Sequence, residues 1–198
     1  MTYHAKRTKG AAGQPLFLTF HGTGGSEEQF HGFAEQLRPG AYVTSPRGDV
    51  SEQGALRYFR RTGEGVYDMD DLARRTTAMA DFIAAEQNAT GAQDTIGLGY
   101  SNGANILASV AFARPELVDT LVLMHPLIPW NPEPQPGLAG RRVLITAGRR
   151  DPICPPERTQ ALADYFTTQG AEVDLVWHPG GHEIAQSEVD AVVQFLRG

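Results

Sequence analysis

The sequence has one cysteine, Cys154, in 198 residues. An internal disulfide is therefore impossible, and a cysteine-rich metal site is excluded. Positive charge is also scarce: 17 Lys and Arg against 23 Asp and Glu give a formal net charge of −6. That balance argues against a nucleic-acid partner, whose phosphates need a basic face. No apolar run approaches the length of a membrane span, and the basic stretch 1–7 is not followed by the apolar core of a signal peptide. We expect no stable membrane association and a cytoplasmic location. Repeats, linkers and low-complexity tracts are missing, so residues 1–198 are expected to form a single domain with a full core.

What is present is an alternation of short apolar runs and amphipathic stretches. Leu16–Phe20, Ala41–Ser45, the run from Asp94 to Gly99, Thr120–Met124, Val143–Ala147 and Val173–Trp177 read as strands, and Tyr3–Arg7 as an edge strand. Between them, helices are predicted from Ser26 to Leu37, from Asp68 or Asp70 to about Asn88, over 103–114, 157–168 and 184–196. Ser26 with Gln29 three residues on has capping-box spacing. Residues 46–67 read as a long irregular loop, which in a small domain is more often functional than idle. Five prolines in 125–140 exclude a regular helix there. The alternation predicts an α/β fold: a mostly parallel central sheet with helices on both faces. Functional groups in such a sheet gather beyond the carboxyl ends of its strands.

Four expected loops at strand C-termini carry reactive or polar groups. The central one is Gly99-Tyr100-Ser101-Asn102-Gly103, the pattern of a nucleophile elbow between a strand and a helix. The others are His21-Gly22-Thr23-Gly24-Gly25, Gly148-Arg149-Arg150-Asp151-Pro152 and Gly180-Gly181-His182. The order Ser…Asp…His is that of the α/β-hydrolase triad. A serine hydroxyl is a poor nucleophile near neutral pH and needs a base. Ser101 is thus the expected nucleophile, His182 its general base and Asp151 the group that orients His182. The N–H groups of Thr23 and Asn102 are the expected oxyanion donors. His21 is read as a structural hydrogen-bonder of the Thr23 loop.

Together these segments resemble the phospholipase/carboxylesterase family of small serine hydrolases. Arg57-Tyr58-Phe59-Arg60-Arg61, Gly65-Val66-Tyr67-Asp68 and Asp70-Asp71-Leu72 are similar to its bacterial carboxylesterase branch. The resemblance covers roughly residues 16–190. It implies an α/β-hydrolase fold with little lid and a small-molecule ester substrate, without cofactor or metal. The thioesterase branch of that family typically has Gln after the serine and Asp just after the first Gly-rich motif; here Asn102 and Gly25 stand there. A thioesterase or lysophospholipase using the same triad, and a non-catalytic binding protein on the same fold, are the alternatives.

Other readings compete locally. Gly97-x-Gly99-x-x-x-Gly103 approaches a dinucleotide fingerprint, but the acidic residue expected after the next strand is absent, His125 standing there. His178 competes with His182 as base; Pro179-Gly180-Gly181 rules out a helical metal pair between them. His125 either lines the pocket or ends a strand. Cys154 reads as a small loop residue. The Arg57–Arg61 loop, with Tyr58, Phe59 and Tyr67, is expected as the substrate wall, the alternative being a loop that packs its aromatics on its own domain; Ile128 and Trp130 are expected on an apolar acyl wall. With only about fifteen residues where relatives carry a cap domain, no cap is expected and the site should be shallow. The apolar segment near Trp130 permits a homodimer.

Overall fold

Strand and helix alternate along the chain as the pattern predicts. The structure, a computed structural model, describes residues 2–197. In order, its elements are β1 (Ala5–Thr8), β2 (Leu16–Phe20), α1 (His31–Leu37), β3 (Tyr42–Pro46), β4 (Val50–Glu52), β5 (Ala55–Arg57), β6 (Arg61–Gly63), β7 (Val66–Tyr67) and α2 (Met69–Thr90). There follow β8 (Thr95–Tyr100), α3 (Asn102–Ala113), β9 (Thr120–Met124), β10 (Arg142–Gly148), α4 (Pro156–Thr168), β11 (Glu172–His178) and α5 (Gln186–Arg197).

Seven strands form one sheet in the order β1-β3-β2-β8-β9-β10-β11. Only β1 runs antiparallel, pairing with β3; the other neighbours are parallel. The chain winds from β2 outward to β3, then returns past β2 to β8 and continues through β9 and β10 to β11. Winding therefore reverses between β2 and β8, the point at which an open α/β sheet leaves a crevice beyond its strand ends. The Thr23 loop leaves β2 and the Ser101 elbow leaves β8, so the reversal brings the two together.

The period-2 alternation of the strands divides the core into two layers. Leu16, Leu18, Phe20, Leu121, Leu123, Val143 and Ile145 face one way and pack with residues of α2, α3 and α4. Phe17, Ile96, Leu98, Val122, Met124 and Leu144 face the other way, under Ala34 of α1 and Val192, Phe195 and Leu196 of α5. No cap domain is present among the described residues; the proline-rich segment holds only a short 3-10 turn, Pro136–Leu138. Among the described residues no helix is long and apolar enough to cross a membrane.

Two elements differ from expectation. The helix predicted from Ser26 begins at His31, with no side-chain cap. The capping box does not form because Gln29 turns the other way: its Oε1 accepts from Gly22 N at 2.9 Å. The loop 46–67 is not irregular throughout but folds into two small hairpins, β4–β5 and β6–β7. Asp68, rather than Asp70, caps α2, its Oδ1 accepting from Asp71 N at 3.0 Å.

Candidate active site

Ser101 stands between β8 and α3 with φ 52° and ψ −115°, a conformation that side-chain-bearing residues rarely adopt. The turn is tight enough to dictate its neighbours. A Cβ on Gly99 would lie 2.6 Å from Gly103 C, and a Cβ on Gly103 would lie 2.2 Å from Phe20 O. Ser101 N donates to Met124 O at 2.8 Å, which fixes the elbow to the end of β9.

His182 reaches this serine from the loop after β11. Its Nε2 lies 2.8 Å from Ser101 Oγ and its Nδ1 lies 2.7 Å from Asp151 Oδ2. The loop is pinned to the ends of β10 and β8: Arg150 N donates to Gly180 O at 2.9 Å, and Tyr100 Oη donates to His182 O at 2.7 Å. Gly148 has no room for a side chain, since a Cβ there would be 2.0 Å from Gly181 O. His178, the rival base, is buried; its Nδ1 accepts from Gly180 N at 3.1 Å and its Nε2 faces Glu188. The structure thus brings Ser101, His182 and Asp151 into one chain of hydrogen bonds and leaves His178 outside it.

Asp151 is buried and fully engaged. Its Oδ1 accepts from Ile153 N at 2.8 Å and Cys154 N at 3.0 Å; its Oδ2 faces both His182 and His125. Burial works against its charge, but the bonds from His125, Cys154, His182 and Ile153 outweigh it and hold the carboxyl below the ordinary range. Cys154 is buried, and burial pushes its thiol well up, so it is no thiolate.

The Thr23 loop is braced from three sides. Arg57 Nη1 donates to Thr23 Oγ1 at 2.6 Å, Gly24 N donates to Leu56 O at 3.0 Å, and Gln29 holds Gly22 N. His21 is structural, as expected. Its Nε2 accepts from Gly48 N at 2.9 Å, which leaves Nδ1 to donate to Gly22 O at 2.7 Å. Burial lowers its pKa, in keeping with that neutral form. Asn102 opens α3, where a first-turn N–H has no intrahelical acceptor. Its Oδ1 accepts from Tyr58 N at 2.7 Å, tying the elbow to the loop 46–67.

A cavity of about 240 Å³ lies over Ser101 and His182, walled by Arg57, Arg61, Tyr67, Leu127 and Ile153. Arg57, Arg61 and Tyr67 of the expected substrate wall stand here; Tyr58, Phe59, Ile128 and Trp130 do not. Tyr58 and Phe59 are fully buried: Tyr58 Oη donates to Pro46 O at 2.8 Å, and Phe59 packs edge-on against Tyr67. Ile128 is buried too, and Trp130 stacks edge-on with Phe112 and Tyr67, both away from the cavity over Ser101. The loop 46–67 does wall the site, with Arg57, Arg61 and Tyr67, while Tyr58 and Phe59 pack into the main core. Arg61 is paired with Glu52 at 3.0 Å.

Sequence reasoning left His125 between two readings and missed Glu188. Both are buried directly behind Asp151. The only signal was an acidic residue within an amphipathic helix, which ordinarily faces solvent. Two donor sets, His125–Asp151–His182 and His125–His178–Glu188, are compact enough to hold an ion. Hydrogen bonds account for the close contacts at Asp151 Oδ2, 2.7 Å to His182 and 2.9 Å to His125, and for that between His125 Nε2 and Glu188 Oε2 at 3.2 Å.

Comparison with known proteins agrees with this architecture. MhqD of Bacillus subtilis (strain 168), which carries the name of a hydrolase, is 39% identical over 184 residues, 92% of each chain. The crystal structure of a Bacillus cereus carboxylesterase superposes with a TM-score of 0.93 at 34% identity, covering 98% of this chain and 93% of that one. That of Atu2452 from Agrobacterium tumefaciens str. C58, a protein of unknown function, gives 0.94 at 57% identity, covering 98% and 96%. The resemblance to carboxylesterases and the α/β-hydrolase fold both stand. Residues 47–192 match the dienelactone hydrolase family, and the chain belongs to it.

Proposed function

We propose that this protein is a serine carboxylesterase that cleaves small carboxylic esters through an acyl-enzyme. The observation that carries the reading is the unbroken chain Ser101 Oγ–His182 Nε2 at 2.8 Å and His182 Nδ1–Asp151 Oδ2 at 2.7 Å, opening into a cavity.

The proposed steps make use of that geometry. Ser101 Oγ attacks the ester carbonyl carbon while its proton passes to His182 Nε2. Asp151 holds His182 with Nδ1 protonated and stabilises the imidazolium. The negative charge on the former carbonyl oxygen is met by the N–H groups of Thr23 and Asn102, beside the positive end of α3. Collapse expels the alcohol, which leaves with the proton from His182. Water then attacks the acyl group, giving its proton to His182, and the second collapse returns that proton to Ser101 and frees the acid.

The small cavity favours short acyl groups, and its arginine-lined wall suits polar esters more than lipids. The test is hydrolysis of p-nitrophenyl esters from acetate to decanoate by the wild type and Ser101→Ala side by side. Serine-dependent turnover that peaks at short chains is expected. A folded protein with no turnover on any ester would overturn the reading.

A further inference from the structure

His125 occupies a place that the esterase mechanism does not use. It follows β9 in a left-handed conformation, φ 50°, held by its N–H donating to Thr146 O at 2.8 Å. The side chain is completely buried. Its Nδ1 lies 2.9 Å from Asp151 Oδ2, the oxygen that His182 also engages. Its Nε2 lies 3.0 Å from Glu188 Oε1 and 3.2 Å from Glu188 Oε2. Glu188, on α5, is equally buried, and its Oε2 accepts from Ala185 N at 2.7 Å.

Both ring nitrogens of His125 therefore face carboxylates. A neutral imidazole carries one N–H, so one of the two contacts would set a lone pair against an anion. The imidazolium satisfies both. Burial disfavours that charge, but Glu188 and Asp151 outweigh it and raise the His125 pKa. The remaining polar neighbours add no full positive charge. His178 has its ring 5.5 Å away and its Nε2 3.3 Å from Glu188; Tyr100 stands edge-on at 5.8 Å, and Cys154 Sγ donates to His125 O at 3.3 Å.

We infer that His125 and Glu188 are positioning residues: His125 bridges the two carboxylates as a cation and tempers the pull of Asp151 on His182, with Glu188 as its counter-charge. The inference rests on the esterase reading for its purpose, but its physics does not need turnover. The rings of His125 and His182 are 5.1 Å apart. When His182 accepts the serine proton it becomes a second cation on the same oxygen of Asp151, so His125 lowers its proton affinity. Loss of His125 alone leaves two buried carboxylates near His182 and raises that affinity. Loss of the Glu188 charge as well removes part of that rise, because Glu188 lies on the far side of His125 from Asp151.

The experiment is a titration of the histidine rings by 15N NMR in the wild type, His125→Asn and the His125→Asn/Glu188→Gln double variant. The His182 signal is assigned by its loss in His182→Asn. Asn keeps a donor toward Asp151 but carries no charge. In His125→Asn the His182 midpoint should rise by about one pH unit, and in the double variant it should return toward the wild-type value. A purely structural role would lower the thermal midpoint without moving His182. An unmoved His182 midpoint in folded His125→Asn overturns the inference. If that variant does not fold, Glu188→Gln serves: the His125 midpoint should fall by about one unit or more, and an unmoved His125 midpoint overturns the inference. None of these signals requires catalysis, whereas failure of the esterase reading would appear only as missing Ser101-dependent turnover.

Discussion

Gly103 lies directly against Phe20: a Cβ on Gly103 would stand 2.2 Å from the Phe20 carbonyl oxygen and 2.5 Å from that of His21. The start of α3 is thereby pressed onto the end of β2, and the two halves of the proposed oxyanion site hold each other in place. Because the opposing atoms are main chain, they cannot rotate aside. Gly103→Ala should lower the unfolding free energy by about 3 kcal/mol, the upper end of the usual cost of overpacking. Urea unfolding measures it, and a loss below about 1 kcal/mol would mean that the elbow yields more easily than its contacts imply.

Ser101, half-buried, sits in a strained backbone conformation, at φ 52°. Ser101→Ala should reduce turnover on the order of a million-fold, as in comparable triads, while circular dichroism stays unchanged. Ser101→Gly should be equally inactive yet more stable than Ser101→Ala by about 1 kcal/mol, since glycine tolerates this conformation. Equal stability of the two variants would argue against strain.

Asp151→Asn should reduce turnover about ten-thousand-fold by presenting His182 in the wrong tautomer. Ester hydrolysis by the purified variant decides it; near-normal activity would remove Asp151 from the mechanism.

Arg57 donates to Thr23 Oγ1 at 2.6 Å. Arg57→Ala should let the Thr23 loop shift and lower kcat up to about a hundredfold, the cost of a displacement near 1 Å. Steady-state kinetics on a neutral ester separate this from substrate binding: a change confined to KM would contradict the bracing role.

Glu27 provides a pH dependence outside the hydrogen-bonded chain of Ser101, His182 and Asp151. The hydrogen bond from Arg47, 2.6 Å at Nε, outweighs burial and lowers its carboxyl from the ordinary 4.5 to about 2. A carboxyl depressed in the folded state contributes its stability above the unfolded value and loses it as pH falls through the folded one. Stability should therefore fall between about pH 4.5 and pH 2, and Glu27→Gln should flatten that part of the curve. Thermal midpoints across the range check the sign.

The sheet and the chain Ser101–His182–Asp151 were legible because each rests on a local signal: apolar runs for strands, and Gly-flanked Ser, Asp and His at strand ends. Chain order alone then placed three loops on one edge. The substrate wall was legible only as a loop, not side chain by side chain. Tyr58, Phe59, Arg57 and Arg61 sit within five residues of one another, and which of them turn inward depends on two hairpins that periodicity does not reveal. Gln29 misled because a capping partner and a loop brace have the same side chain and differ only in the direction it turns. Glu188 was hidden for a related reason: its partner His125 is 63 residues away, joined to it through the packing of α5 under the sheet.

Every group assigned to chemistry leaves the carboxyl ends of the parallel strands, and the turns at the opposite ends only connect. Gly91 and Gly140 lie in those connecting turns, each with open space around it but with a left-handed φ, 67° and 76°, that keeps the position itself glycine and leaves the neighbouring residues for attachment. A strand of six residues holds them roughly 20 Å from the serine. The molecule is thus divided into an end that reacts and an end that can be handled: a dye, tether or fused peptide attached at either turn would report on the protein while leaving its reactive end untouched.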